Sequence, residues 1–178
     1  MAGKKRKRSH KSSTPPNKNS KPNSVDNILS SINECITKTN NVQSDTLLRL
    51  LIKHGNIPLP GNKDLTMVHY AIFTAAKCGK TNCLLTLLNQ YGDAPWPRKK
   101  GCTMVHCAIH EAAKYGKTNC LLTLLIKYKD TSCPGIGDCK LIEFAIHQAA
   151  RYEKTTCLLT LLNQYGDTPC TGKADCTM

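Results

Sequence analysis

The sequence predicts an all-α fold: a solenoid of about four stacked helix-loop-helix units behind a disordered basic N-terminal tail. Three observations predict it. A 37-residue recurrence runs through most of the chain. Within each period, apolar residues return at helical spacing, with Gly and Pro where a helix should stop. The first 23 residues, by contrast, contain almost nothing that could be buried.

That tail holds eight Lys/Arg and no acid, so it carries most of the formal +13 charge of the 178-residue chain. Any partner argument built on charge starts there. Lys4, Lys5, Arg6, Lys7 and Arg8 form a short basic run that resembles a monopartite nuclear-import signal, suited to an acidic receptor groove. A solvated basic tail and weak phosphate contact with nucleic acid are the competing readings. The remainder is long enough for one domain, which is placed at residues 24–176. Aromatics at 5% argue against a base-stacking platform. No apolar run approaches the ~20 residues that cross a bilayer, and the basic start lacks the apolar stretch of a secretory signal. The expected location is the nucleus, with the cytoplasm as the alternative, and the eleven cysteines are expected to be reduced thiols.

The units are 29–65, 66–102, 103–139 and 140–176. Thr66-Met67-Val68-His69 returns as Thr103-Met104-Val105-His106, and Cys83-Leu84-Leu85-Thr86-Leu87-Leu88 returns from Cys120 and from Cys157. Between 66–93 and 103–130, 21 of 28 positions are identical. The first unit is degenerate but keeps register in its second half, where Leu47-Leu48-Arg49-Leu50-Leu51 aligns with Leu84 to Leu88. An end cap should look like this, since one of its faces meets water. Thr177-Met178 restarts the pattern, which predicts an exposed apolar face at the far end and marginal solubility.

Each unit reads as two helices and a loop. In the first helix Val68, Ala71, Ile72, Ala75 and Ala76 make one apolar stripe, and Gly79 suits the left-handed position that ends a helix. Gly116 repeats it. The second helix begins near Thr81, buries Leu84, Leu85, Leu87 and Leu88, and ends around Tyr91-Gly92-Asp93 before Pro95 and Pro97. One helix pair cannot bury both its faces, so the units must stack.

Thr-Met-Val-His, the alanines, the Gly and Leu-Leu-x-Leu-Leu together resemble the ankyrin repeat, over residues 29–178 and most strongly in 66–130. Met stands where that family favours Pro, and the period is 37 against ~33. The fourth unit carries Lys140-Leu141-Ile142-Glu143 in place of the tetrapeptide. Four added residues are about one helical turn, which lengthens the first helix without rotating its stripe far. The resemblance implies a structural hydrogen-bonding role for His69 and His106. It also implies partner binding through the first-helix face and the loop tips. One class of such proteins, the IκB-like viral ankyrin proteins, engages host transcription factors.

The residue patterns for chemistry are incomplete. Gly79-Lys80-Thr81 and Gly116-Lys117-Thr118 lack the upstream Gly of a phosphate loop and recur as inter-helix turns. Cys83, Cys120 and Cys157 occupy one packing column, as do Cys102, Cys139 and Cys176, with Leu65 in the same place in the first unit. Cys133–Cys139 and Cys170–Cys176 are the best pairs for zinc or oxidation, but lack Cys-x2-Cys spacing. No catalytic residue, metal site, cofactor or small-molecule substrate is expected, and no membrane association.

The units differ most on the first helix, opposite its apolar stripe. Tyr70 becomes Cys107 and Phe144; Phe73 becomes His110 and His147; Thr74 becomes Glu111 and Gln148. Lys77, Lys114 and Arg151 form a basic column, and Lys80, Lys117 and Lys154 a second. Trp96, between two prolines, is expected to be an exposed anchor. The functional expectation is a non-catalytic scaffold that binds a protein partner through these positions. An IκB-like modulator of a regulatory protein is one form of it. The alternative is non-specific association with nucleic acid through tail and lysine stripe. Drift at unconstrained positions is the competing account of the differences, and a solvated helix face accounts equally for the two basic columns.

Overall fold

The computed structural model describes residues 24–38, 41–129, 131–133 and 139–167. The basic run at residues 4–8, expected to be an import signal, and the pair Cys170–Cys176 lie outside them. Eight helices are described: α1 (Ser24–Thr37), α2 (Asn41–His54), α3 (Met67–Cys78), α4 (Thr81–Tyr91), α5 (Met104–Lys114), α6 (Thr118–Tyr128), α7 (Leu141–Arg151) and α8 (Thr155–Tyr165). The chain is mostly helical, and the helices alternate in a repeat-like way.

The apolar stripes explain how they meet. Val68, Ala71, Ile72, Ala75 and Ala76 are all buried along α3, and the same spacing buries Val105, Ala108, Ile109, Ala112 and Ala113 along α5. Alanines keep these helices slim enough to lie side by side. Contacts run α1 to α3, α3 to α5 and α5 to α7, with α4 to α6 and α6 to α8 beside them. Leu84, Leu87, Leu121 and Leu124 fill the layer between, each with no exposed surface. At ~25 cal/mol per Å² of apolar surface, this layer is the main favourable term.

The turn between paired helices needs a positive φ, which Gly79 (φ 69) and Gly116 (φ 63) supply without steric cost. Glu153 occupies the same place after α7 with φ 56, the one non-glycine residue described there. Lysine stems cover these turns: a Cβ on Gly79 would meet Lys117 at 3.1 Å, and one on Gly116 would meet Lys154 at 3.4 Å. Lys80 donates to the Thr37 carbonyl at 3.1 Å. The second lysine column thus lies against helix C-termini, where a cation is favoured.

The segments expected to be plain loops form short hairpins. β1 (Pro58–Leu59) pairs antiparallel with β2 (Asn62–Thr66), and β3 (Ser132–Cys133) pairs with β4 (Cys139–Lys140). Pro95 and Thr103 form an isolated bridge at the matching place. The partners Pro58↔Thr66, Pro95↔Thr103 and Ser132↔Lys140 follow the 37-residue recurrence. The all-α reading is therefore corrected in this detail: backbone pairing of the loop ends makes strands too short to show an alternating pattern.

The two ends differ. The outward face of α1 carries Asp26, Asn27, Ser30 and Glu34, all exposed. At the other end Ile146, Leu158 and Leu162 are only half-buried, although their counterparts Ile109, Leu121 and Leu125 show no exposure. Leu159 is 55% exposed. Among the described residues, apolar side chains are therefore less covered around α8 than at the equivalent places of α4 and α6.

Candidate functional site

Thr66 and Thr103 precede α3 and α5 in extended conformation and begin capping boxes. The Thr66 N–H donates to His69 Nδ1 at 2.9 Å, and the Thr103 N–H to His106 Nδ1 at 3.0 Å. With Nδ1 an acceptor, the proton sits on Nε2, and His106 Nε2–H donates to the Ser132 carbonyl at 2.9 Å. His69 makes the equivalent bond to the Pro95 backbone. Each histidine thus ties a helix start to the next hairpin. Burial pushes both imidazoles below their ordinary pKa, more than those carbonyl bonds raise them. In the fourth unit the lost histidine is replaced in kind, because the Lys140 N–H donates to Glu143 Oε2 at 3.2 Å.

The outer faces of α1, α3 and α5 form a groove of about 520 Å³. Six of the expected partner-binding residues line it: Tyr70, Phe73, Thr74 and Lys77 from α3, with Glu111 and Lys114 from α5. Asn33 and Thr37 of α1, Cys78, Arg98 and Tyr115 complete the wall. Tyr70 is fixed by Asn33, whose Nδ2–H donates to its hydroxyl at 2.7 Å.

The remaining expected residues separate into two groups. His147 and Arg151 are exposed on α7. Trp96 is 7% exposed, so the exposed-anchor reading is corrected. Its backbone N–H donates to the Cys102 carbonyl at 2.7 Å, closing the loop and laying the indole 5.4 Å from the His110 ring. Cys107, Phe144 and Gln148 are corrected likewise, at 0%, 2% and 4% exposure. Helices on both sides of α5 enclose Cys107, and Lys99 covers the Phe144 ring at 5.0 Å. None of the four offers surface to a partner.

His110, half-buried, joins the two groups. Its ring stacks near Phe144 at 6.5 Å and meets the edge of Tyr152 at 5.6 Å. With the ring neutral, Nδ1–H donates to Glu111 Oε1 at 3.1 Å, and Nε2 accepts from the Tyr152 hydroxyl at 3.2 Å. Burial alone would raise the Glu111 carboxyl. The hydrogen bond from His110, with the charges of Lys114 and Arg98, outweighs burial and holds Glu111 below the ordinary carboxylate value. Trp96 Nε1 and Gln148 Oε1 are buried without hydrogen-bond partners, an uncompensated cost.

Sequence reasoning missed the aromatic rungs of the basic column. Lys77 lies over Tyr115 at 5.3 Å, and Lys114 reaches Tyr115 at 5.4 Å and Tyr152 at 5.6 Å. Arg151 lies 5.8 Å from Tyr152, and Arg98 covers Phe73 at 5.4 Å. Tyr115 and Tyr152 follow Lys114 and Arg151 directly and are 37 residues apart, so the signal was there to read.

The buried thiols of the helices are poorly placed for chemistry. Cys83, Cys120 and Cys157 are buried and unpaired with one another. Burial pushes Cys83 up to about 11 and raises Cys107, Cys120 and Cys157, so little reactive thiolate exists at neutral pH. Cys133 and Cys139 are directly opposed in the hairpin register. Among the described residues no cluster of His, Cys, Asp or Glu could hold a metal ion, and no helix is long and apolar enough to cross a membrane. No family model, curated protein or solved structure matches this chain.

Proposed function

We propose that this chain is a non-catalytic protein-interaction scaffold. In this reading it is a solenoid of about four ankyrin-like units that binds a protein through the groove on α1, α3 and α5. One observation carries the reading. The groove is lined by residues at positions that differ between units, such as Phe73 (His110 in the next unit), Thr74 and Glu111, while the apolar stripe beneath them is held constant. A surface that changes on an unchanging frame is how repeat arrays acquire distinct partners.

Pull-down with the intact chain against a Phe73→Ala, Lys77→Ala variant tests it. Both side chains line the groove without filling the core, so the helical spectrum should survive while a specific partner band is lost. Unchanged recovery refutes the assignment. The basic run at residues 4–8 would deliver the protein to the nucleus, and an IκB-like role on a regulatory protein is one form the function takes. Deleting residues 4–8 should shift a tagged protein to the cytoplasm.

The second reading, non-specific nucleic-acid association, is favoured by the basic column of Lys77, Lys114 and Arg151. Salt separates the two, because phosphate contacts weaken steeply as counterions compete, whereas a mainly apolar interface does not.

A further inference from the structure

We infer that the groove takes an acidic segment of the partner protein, a deepening that rests on the binding face proposed above. The first argument is charge. Lys77, Arg98 and Lys114 line the groove, and Glu111 is the one carboxylate among its lining residues. Glu111 is hydrogen-bonded to His110 and offsets one of the three positive charges, so the lining keeps a net positive charge.

The second argument is preorganisation. Arg98 is held over Phe73, and Lys77 and Lys114 share the Tyr115 ring. A long basic side chain normally loses rotamer freedom when it meets a carboxylate, about 0.5–1.5 kcal/mol for each one immobilised. Here the rings have met part of that loss in advance.

The third argument chooses between polyanions. Nucleic-acid strands gain much of their affinity by stacking bases on open ring faces. Tyr115 and Phe73 carry cations instead, and Tyr152 carries Lys114 and Arg151. Carboxylates need only the cations. The half-buried rings of Tyr70 and Phe73 then favour a segment that also brings apolar side chains.

The test is amide-shift NMR of the full chain at low salt with three probes: a peptide alternating Glu with Phe, its Gln-for-Glu counterpart, and oligo-dT. The Glu peptide should shift Phe73, Lys77 and Lys114 saturably and bind about tenfold tighter than the Gln peptide, equivalent to about 1.4 kcal/mol. Lys77→Glu with Lys114→Glu should weaken it by at least that factor. Lys53→Glu with Lys127→Glu, on the second helices, should leave it unchanged. Equal affinity for the two peptides overturns the acidic assignment and leaves the face standing. Shifts confined to α4 and α6 overturn the face itself. Tighter binding of oligo-dT at the same residues gives the surface to nucleic acid, and no shift with any probe overturns the inference.

Discussion

Lowering the pH should unfold this protein through two histidines before any carboxylate is protonated. His106 is 1% exposed, with Nδ1 facing the Thr103 N–H and Nε2–H spent on the Ser132 carbonyl. A proton added to Nδ1 would set donor against donor and place a charge near Lys99, which itself pushes this imidazole down. His69 faces the same conflict at Thr66. Both pKa values are depressed in the folded state, so the neutral form is favoured there. Their contribution is complete above the unfolded value of about 6.5 and is lost as pH falls from there toward the folded values. In that window the unfolded chain binds a proton that the folded chain refuses. Each histidine then costs up to ~1.4 kcal/mol of stability per pH unit, and the pair up to ~2.7. Urea unfolding at steps from pH 7.5 to 5.0 measures this slope. The control is His69→Gln with His106→Gln, because Gln is a standard third-position partner in a capping box and does not titrate. The reasoning fails if the wild type is equally stable at pH 7.5 and 5.5, or if the double variant keeps the same slope.

Four further outcomes follow from the packing. Trp96→Ala should cost about 3–5 kcal/mol in denaturant unfolding, as for other large buried aromatics, whereas an exposed anchor would cost almost nothing. Glu153→Gly should stabilise by about 1 kcal/mol, seen as a raised melting temperature, by relieving a left-handed residue that the earlier units give to glycine. Leu159→Lys should raise the concentration at which light scattering appears, with melting unchanged, since 55% of that side chain already meets solvent. Glu111→Gln should flatten a separate acid limb: the depressed carboxyl contributes stability above about 4.3, which wild type loses as pH falls through the folded value.

Helix content and boundaries were legible because they rest on local signals. The stripe from Val68 to Ala76, the glycine at 79 and the prolines at 95 and 97 suffice to bound α3 and α4. The hairpins were not legible. A pairing such as Pro58↔Thr66 is made by backbone groups, and strands of two to five residues leave no mark in the side chains. Trp96 was misread for a related reason: its fate depends on His110, a residue of the next unit. Phe73, Lys77 and Lys114, singled out from the sequence, line one groove. The burial of Cys107 and Phe144, counterparts of the half-buried Tyr70, was missed because the pattern of differences alone cannot rank depth.

The unlike ends give melting a direction. Around α3 and α5 each helix has a neighbour on both flanks, while α8 has company on one side and bare leucine on the other. Amide protons should therefore exchange first in α8, then in α7, and last at the centre. A half-melted molecule would still hold α1, α3 and α5 in place, shedding rungs from the far end while the groove between these helices stays assembled.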